Sequence, residues 1–62
     1  MSAEFHALSG KIKKADCKDK LARLERSCER IFELGFLSTH EFCLLDDMIM
    51  RRYVKMEYPE LS

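Results

Sequence analysis

Leu34-Gly35-Phe36-Leu37-Ser38-Thr39-His40-Glu41-Phe42 is the stretch on which the fold turns, because several independent local rules agree within it. Gly35 readily takes the left-handed backbone that ends a helix, and Phe36 is placed to pack back onto Ile31 as the apolar contact of a Schellman motif. Ser38-Thr39-His40-Glu41 then reads as a capping box, in which the Ser38 hydroxyl accepts from the Glu41 amide and the Glu41 carboxylate returns to the Ser38 amide. Leu37 and Phe42 stand where a hydrophobic staple would hold the new helix. A connection this short makes the helices on either side antiparallel or steeply crossed.

Upstream of the corner, Cys17, Leu21, Leu24, Cys28 and Ile31 recur at alternating spacings of four and three, the seam of a helix packed on another helix. Asp16 and Asp19 are candidates to cap its start, although Ile12 and Ala15 extend the stripe and leave open a start near Ser9. Downstream, Phe42, Leu45, Ile49, Tyr53 and Met56 share one arc at about 100° per residue. Asp46 and Asp47 come early and Arg51, Arg52 and Lys55 late, the order that complements the helix dipole, with Asp47 and Arg51 spaced as an i,i+4 pair. Tyr58-Pro59 ends the helix.

Two apolar groups are left over on that second helix. Leu44 and Met48 lie about 120° from the seam on one side, and Cys43, Met50 and Val54 about 120° away on the other. A lone hairpin cannot bury both, so Leu44, Met48, Met50 and Val54 are predicted to form an interface. The resulting expectation is an all-α protein: an antiparallel two-helix hairpin over 16–57 that dimerises into a four-helix bundle. Residues 1–15 are expected to form an N-terminal arm or a short helical turn through Phe5 and Leu8, and 58–62 a C-terminal tail.

Composition agrees with helices. The chain has 62 residues, 35% charged and 47% hydrophobic, with only 2 Gly and 1 Pro, a balance that favours amphipathic helix over sheet or disorder. Chains this short usually need disulfides, a metal or a partner subunit for stability. Three cysteines, an odd count without a close pair, do not make a disulfide framework, and the expected home is the reducing cytoplasm. Neither a signal-type N-terminus nor an apolar run of membrane-spanning length is read, so no membrane association is expected.

The chemistry-bearing residues are sparse. His40 and Cys43 share a helix face, but Cys17, Cys28 and His6 are too distant in sequence to complete a tetrahedral metal site by any recognisable spacing. Two helices also offer little cleft in which a cysteine nucleophile would find a base, so no enzyme activity and no cofactor are expected. Net charge is zero, from 11 basic and 11 acidic residues, yet it is unevenly placed. Within 1–24, six basic residues stand against three acidic, and Lys11, Lys13, Lys14, Lys18 and Lys20 are candidate nucleic-acid contacts. Specific reading of DNA by the helix after the corner is disfavoured, since it opens Thr39-His-Glu-Phe-Cys-Leu-Leu-Asp-Asp, acidic and apolar where base-reading side chains are needed. The same acids, Glu41, Asp46 and Asp47, oppose an anionic membrane surface. Self-association and protein binding are therefore the principal expectation, with a nucleic-acid-associated factor as the alternative.

The nine-residue corner from Leu34 to Phe42 resembles that of SHOCT-type short helical hairpins, in which a Gly, an apolar residue, a Ser or Thr and an acidic-aromatic pair join two helices. Together with its length and its Leu24 to Met56 hairpin, the chain also resembles the small helical accessory proteins that lambdoid temperate phages encode between their exonuclease and excisionase genes. That resemblance implies a non-enzymatic early protein of the host cytoplasm that influences the choice between lysis and lysogeny through host or phage proteins. It carries no catalytic residues onto this sequence.

Overall fold

At Ser2 the backbone is extended and the hydroxyl accepts from the Phe5 amide at 3.2 Å, starting a full helix where the sequence offered an arm or a short helical turn. In the computed structural model, which describes residues 1–61 with the side chain of Leu61 excepted, three helices follow one another. They are α1 (Ala3–Lys14), α2 (Lys18–Glu33) and α3 (Thr39–Glu57), followed by a short 3-10 turn (Pro59–Leu61) in contact with α3. The two-helix hairpin is thus corrected to a three-helix arrangement. α2 and α3 run antiparallel, and residues 3–14 add a third helix beside them.

The corner holds the geometry read from its residues. Gly35 takes φ 87°, its amide donates to the Phe32 carbonyl at 3.0 Å, and the Phe36 amide donates to Ile31 at 3.1 Å, the paired bonds of a Schellman motif. The Phe36 side chain, however, stays 56% exposed. The capping box is complete, with the Glu41 amide donating to Ser38 Oγ at 3.1 Å and the Ser38 amide donating to Glu41 Oε1 at 3.1 Å. Leu37 is buried, and Phe42 stacks on Phe32 with ring centroids 4.5 Å apart, closing α2 onto α3.

Glu41 does more than cap α3. Its Oε2 accepts from both the Ser2 amide at 2.9 Å and the Ser2 hydroxyl at 2.8 Å, so one carboxylate joins the starts of α1 and α3. At the far end, Arg52 Nη2 of α3 donates to the carbonyl of Ala15, the residue closing α1. These two ties fix α1 parallel to α3 and antiparallel to α2, an up-down-up bundle. The Arg52 Nε is buried without a partner among the described residues, which offsets part of what that tie contributes.

The core draws on all three α-helices and the corner: Leu8, Ile12 and Ala15 from α1 and its end, Leu21 and Cys28 from α2, Leu37 from the corner, and Leu45 and Ile49 from α3. Phe5, Leu24, Ile31, Phe32, Phe42, Met48, Tyr53 and Met56 pack around them. Here lies the physical reason that the four-helix dimer is not required for burial: α1 brings Leu8 and Ile12 onto the pair, and Met48, read as interface, packs on the core within one chain. The start of α2 also differs from expectation. Cys17 is its N-cap, exposed and without a side-chain capping bond, while Asp16 pairs with Lys20 at 2.9 Å instead of capping. The C-terminal tail is a 3-10 turn over Pro59–Leu61, and position 62 lies outside the described residues.

Two expected outcomes arise directly from these contacts. The Ser2 amide, then the Ser38 amide and the Ser2 hydroxyl, hold the Glu41 carboxyl down to about 2, from an ordinary value of 4.5. A depressed carboxylate adds stability in full above the unfolded value and loses it as pH falls from there through the folded value. Urea midpoints should therefore drop between about pH 4.5 and about pH 2 in the parent. Glu41→Gln should flatten that part of the profile, and an unchanged slope in the variant would contradict the double tie. The second outcome concerns the glycines. Gly10 sits inside α1 with nothing within 4 Å of an added Cβ, so Gly10→Ala should stabilise by about 0.5–1 kcal/mol. Gly35→Ala, at φ 87°, should cost about 1–2 kcal/mol. Denaturant titration of both variants reads the two signs.

Candidate functional site

Four basic side chains converge where the last turns of α1 face the first turns of α2. Lys11 and Lys14 come from α1 and Lys20 and Arg23 from α2, around a floor of Ala15 and Leu24, and together they line an open depression of about 300 Å³. Local folding explains the gathering. A basic last turn (Lys11, Lys13, Lys14) suits the C-terminal end of α1, the chain reverses in three residues, and α2 opens with Lys18, Lys20 and Arg23. Antiparallel packing then places the two clusters side by side.

The candidate nucleic-acid residues do not all share this site. Lys11, Lys14 and Lys20 line the groove, whereas Lys13 and Lys18 do not, and Lys18 is held by Glu57 of α3 at 2.7 Å. Lys20 is engaged by Asp16, and that contact lowers the Asp16 carboxyl and raises the Lys20 ammonium from their ordinary values. Among the described residues Lys11, Lys14 and Arg23 have no ion-pair partner. Arg23, outside the candidate lysines, belongs to the site as well; its position three residues after Lys20, one helical turn along, is the sequence signal for it.

The predicted interface residues divide. Met48 packs on the core and Leu44 is half-buried, while Met50 and Val54 remain 54% and 48% exposed. With the exposed Cys43 they make a stripe on the side of α3 turned away from α1 and α2. Asp47 and Arg51 flank it, paired at 2.9 Å as their spacing predicted. Leu34 and Phe36 add a second exposed apolar spot at the corner.

Reactive groups stay apart. Burial, with Asp46, Glu25 and Glu29 adding like charge, pushes the Cys28 thiol up to about 11, which keeps it protonated and unreactive near neutral pH. Cys17 caps α2 at one end of the bundle and Cys43 lies near the other, beside the corner. Among the described residues no three His, Cys, Asp or Glu side chains come together as a metal site, and no helix is long and apolar enough to cross a membrane.

No family model, curated protein or solved structure matches the chain.

Proposed function

We propose that this chain is a non-enzymatic interaction protein that self-associates through the outward stripe of α3 and binds a protein partner. The observation that carries the reading is the exposure of Met50 and Val54 on one face of a helix whose opposite face is core. Large apolar side chains aligned on a small scaffold are the usual mark of an association surface. Charge order supports a two-fold antiparallel pairing. With Met50 near the axis, Asp46 and Asp47 of one copy fall opposite Val54 and Tyr53 of the other, away from its own acidic pair, whereas a parallel pair would set like charges together. Both residues are surface-exposed, so the dimer is an addition to a folded monomer and not the condition of its folding.

A single helix face of this size supports weak association, with a dissociation constant in the range of about 10–100 μM. Sedimentation velocity across that range should show dimer, and Met50→Lys with Val54→Lys should leave a monomer of unchanged helicity. A parent that stays monomeric at about 1 mM would end the reading. The setting we attach to it, modulation of temperate-phage development in the host cytoplasm through a host or phage protein, rests on the resemblance of corner, length and hairpin. Nucleic-acid association has narrower support, because two of its five lysines are held by acidic neighbours.

A further inference from the structure

We propose that the groove between α1 and α2 docks an acidic segment of a protein partner, one that seats a single apolar side chain on the Ala15 and Leu24 floor and sets carboxylates against Lys11, Lys14 and Arg23. The proposal rests on the protein-binding reading above and gives that partner its chemistry. Three features on the surface select this occupant.

Charge is the first. Every ionisable side chain lining the groove is cationic, and three of the four have no ion-pair partner among the described residues. Arg23 adds a planar fork suited to a carboxylate. The molecule as a whole is neutral, so attraction is confined to this patch and acts within about one Debye length.

The floor is the second feature. Ala15 is buried and Leu24 half-buried, so the depression is apolar beneath a charged rim. About 300 Å³ is the low end for a small-molecule site and suits one anchoring side chain rather than a cofactor. An apolar anchor surrounded by a polar rim is how protein interfaces concentrate their affinity. A phosphodiester backbone has nothing to place on such a floor.

The third is what surrounds the cations. Asp16 holds Lys20, Asp19 opens α2, and Glu57 holds Lys18, so the basic surface is a short patch interrupted by acids. Duplex DNA needs a longer unbroken track of cations to bind with useful affinity. A short acidic peptide needs only the patch. The groove and the α3 stripe lie on different faces, since Met50 and Val54 point away from α1 and α2. A dimer paired through α3 would thus present two grooves, and a partner with two acidic segments would gain from both.

The test uses the full chain, isotopically labelled, titrated with the synthetic peptide Glu-Glu-Asp-Phe-Glu-Glu, the same peptide with Ser for Phe, and a duplex DNA of 12 base pairs. Amide shifts should move at Lys11, Ala15, Arg23 and Leu24 with the Phe peptide, and the Ser peptide should bind about tenfold more weakly. Lys14→Glu with Arg23→Glu should weaken the Phe peptide by at least about tenfold, and the milder Lys14→Gln with Arg23→Gln by less, with helicity unchanged in both. Met50→Lys with Val54→Lys should leave peptide binding as in the parent. No shift at these residues with millimolar peptide, or equal binding of the Phe and Ser peptides, would overturn the proposal. Tighter binding of the duplex at the same residues would overturn it in favour of nucleic acid. Sedimentation of the same samples separates the two failures: a silent groove in a chain that still dimerises refutes the docking site alone.

Discussion

Ile12→Asp should leave the protein largely unfolded at 25 °C. Ile12 is fully buried in α1 and packs with Leu45 and Ile49 in one core, so the substitution removes an apolar side chain and buries an unpaired carboxylate. The first loss alone is on the order of 2–5 kcal/mol, and the charge adds to it. A domain of this length has about 3–9 kcal/mol of stability in total. The result separates two architectures, because in a hairpin trailing a loose arm the same change would fall on a surface residue and move stability by about 0.5 kcal/mol or less. Circular dichroism at 222 nm and a urea titration read the difference directly.

Leu45→Ala should cost about 2–5 kcal/mol, the second large effect. Leu45 is fully buried on the core face of α3, in one cluster with side chains from α1 and α2. With a slope of about 1 kcal/mol/M for a small protein, the urea midpoint should fall by about 2 M or more. Met50→Ala, one and a half turns along the same helix but on its exposed stripe, should shift stability by no more than about 0.5 kcal/mol. Similar losses at the two positions would mean that α3 is oriented differently about its axis, and the association stripe would be misassigned with it.

The corner was readable because its signals are local. Gly35, Ser38 and Glu41 act on amides within a few residues of themselves, and the Schellman and capping-box bonds appear where their spacing placed them. The paired order of Asp47 and Arg51 was readable for the same reason. α1 was hidden by the opposite circumstance. Its apolar positions Phe5, Leu8, Ile12 and Ala15 keep the same alternating rhythm as the stripe of α2, and no Gly or Pro marks the break at 15–17. Cys17 comes only two residues after Ala15, a slip of phase that opens the second stripe, and in the structure it caps a helix and lies exposed. A further sign was electrostatic: Lys11, Lys13 and Lys14 close one helix and Asp19 opens the next, as the two dipoles prefer.

The candidate site was half legible. Excess positive charge in the first third of the chain located Lys11, Lys14 and Lys20, but only the reversal between α1 and α2 brings them around Ala15 and Leu24. Which lysines an acid would neutralise depended on contacts far apart in sequence, such as Lys18 with Glu57. The second duty of Glu41 was equally closed to a local reading, since its partner Ser2 lies 39 residues away. The apolar surplus on α3 pointed to an interface with a second hairpin; Met48 instead packs on the core of the same chain, while Met50 and Val54 stay exposed.

The groove, the core and the freedom of the α3 stripe all depend on α1 being docked, and amide hydrogen exchange tests that most directly. With α1 an integral third helix, the amides from Leu8 to Ile12 should exchange through global unfolding, with protection equal to that of the interiors of α2 and α3. Exchange at Leu8 to Ile12 faster by orders of magnitude, while Leu21 to Cys28 and Leu45 to Ile49 stay protected, would contradict the three-helix core and remove the groove with it.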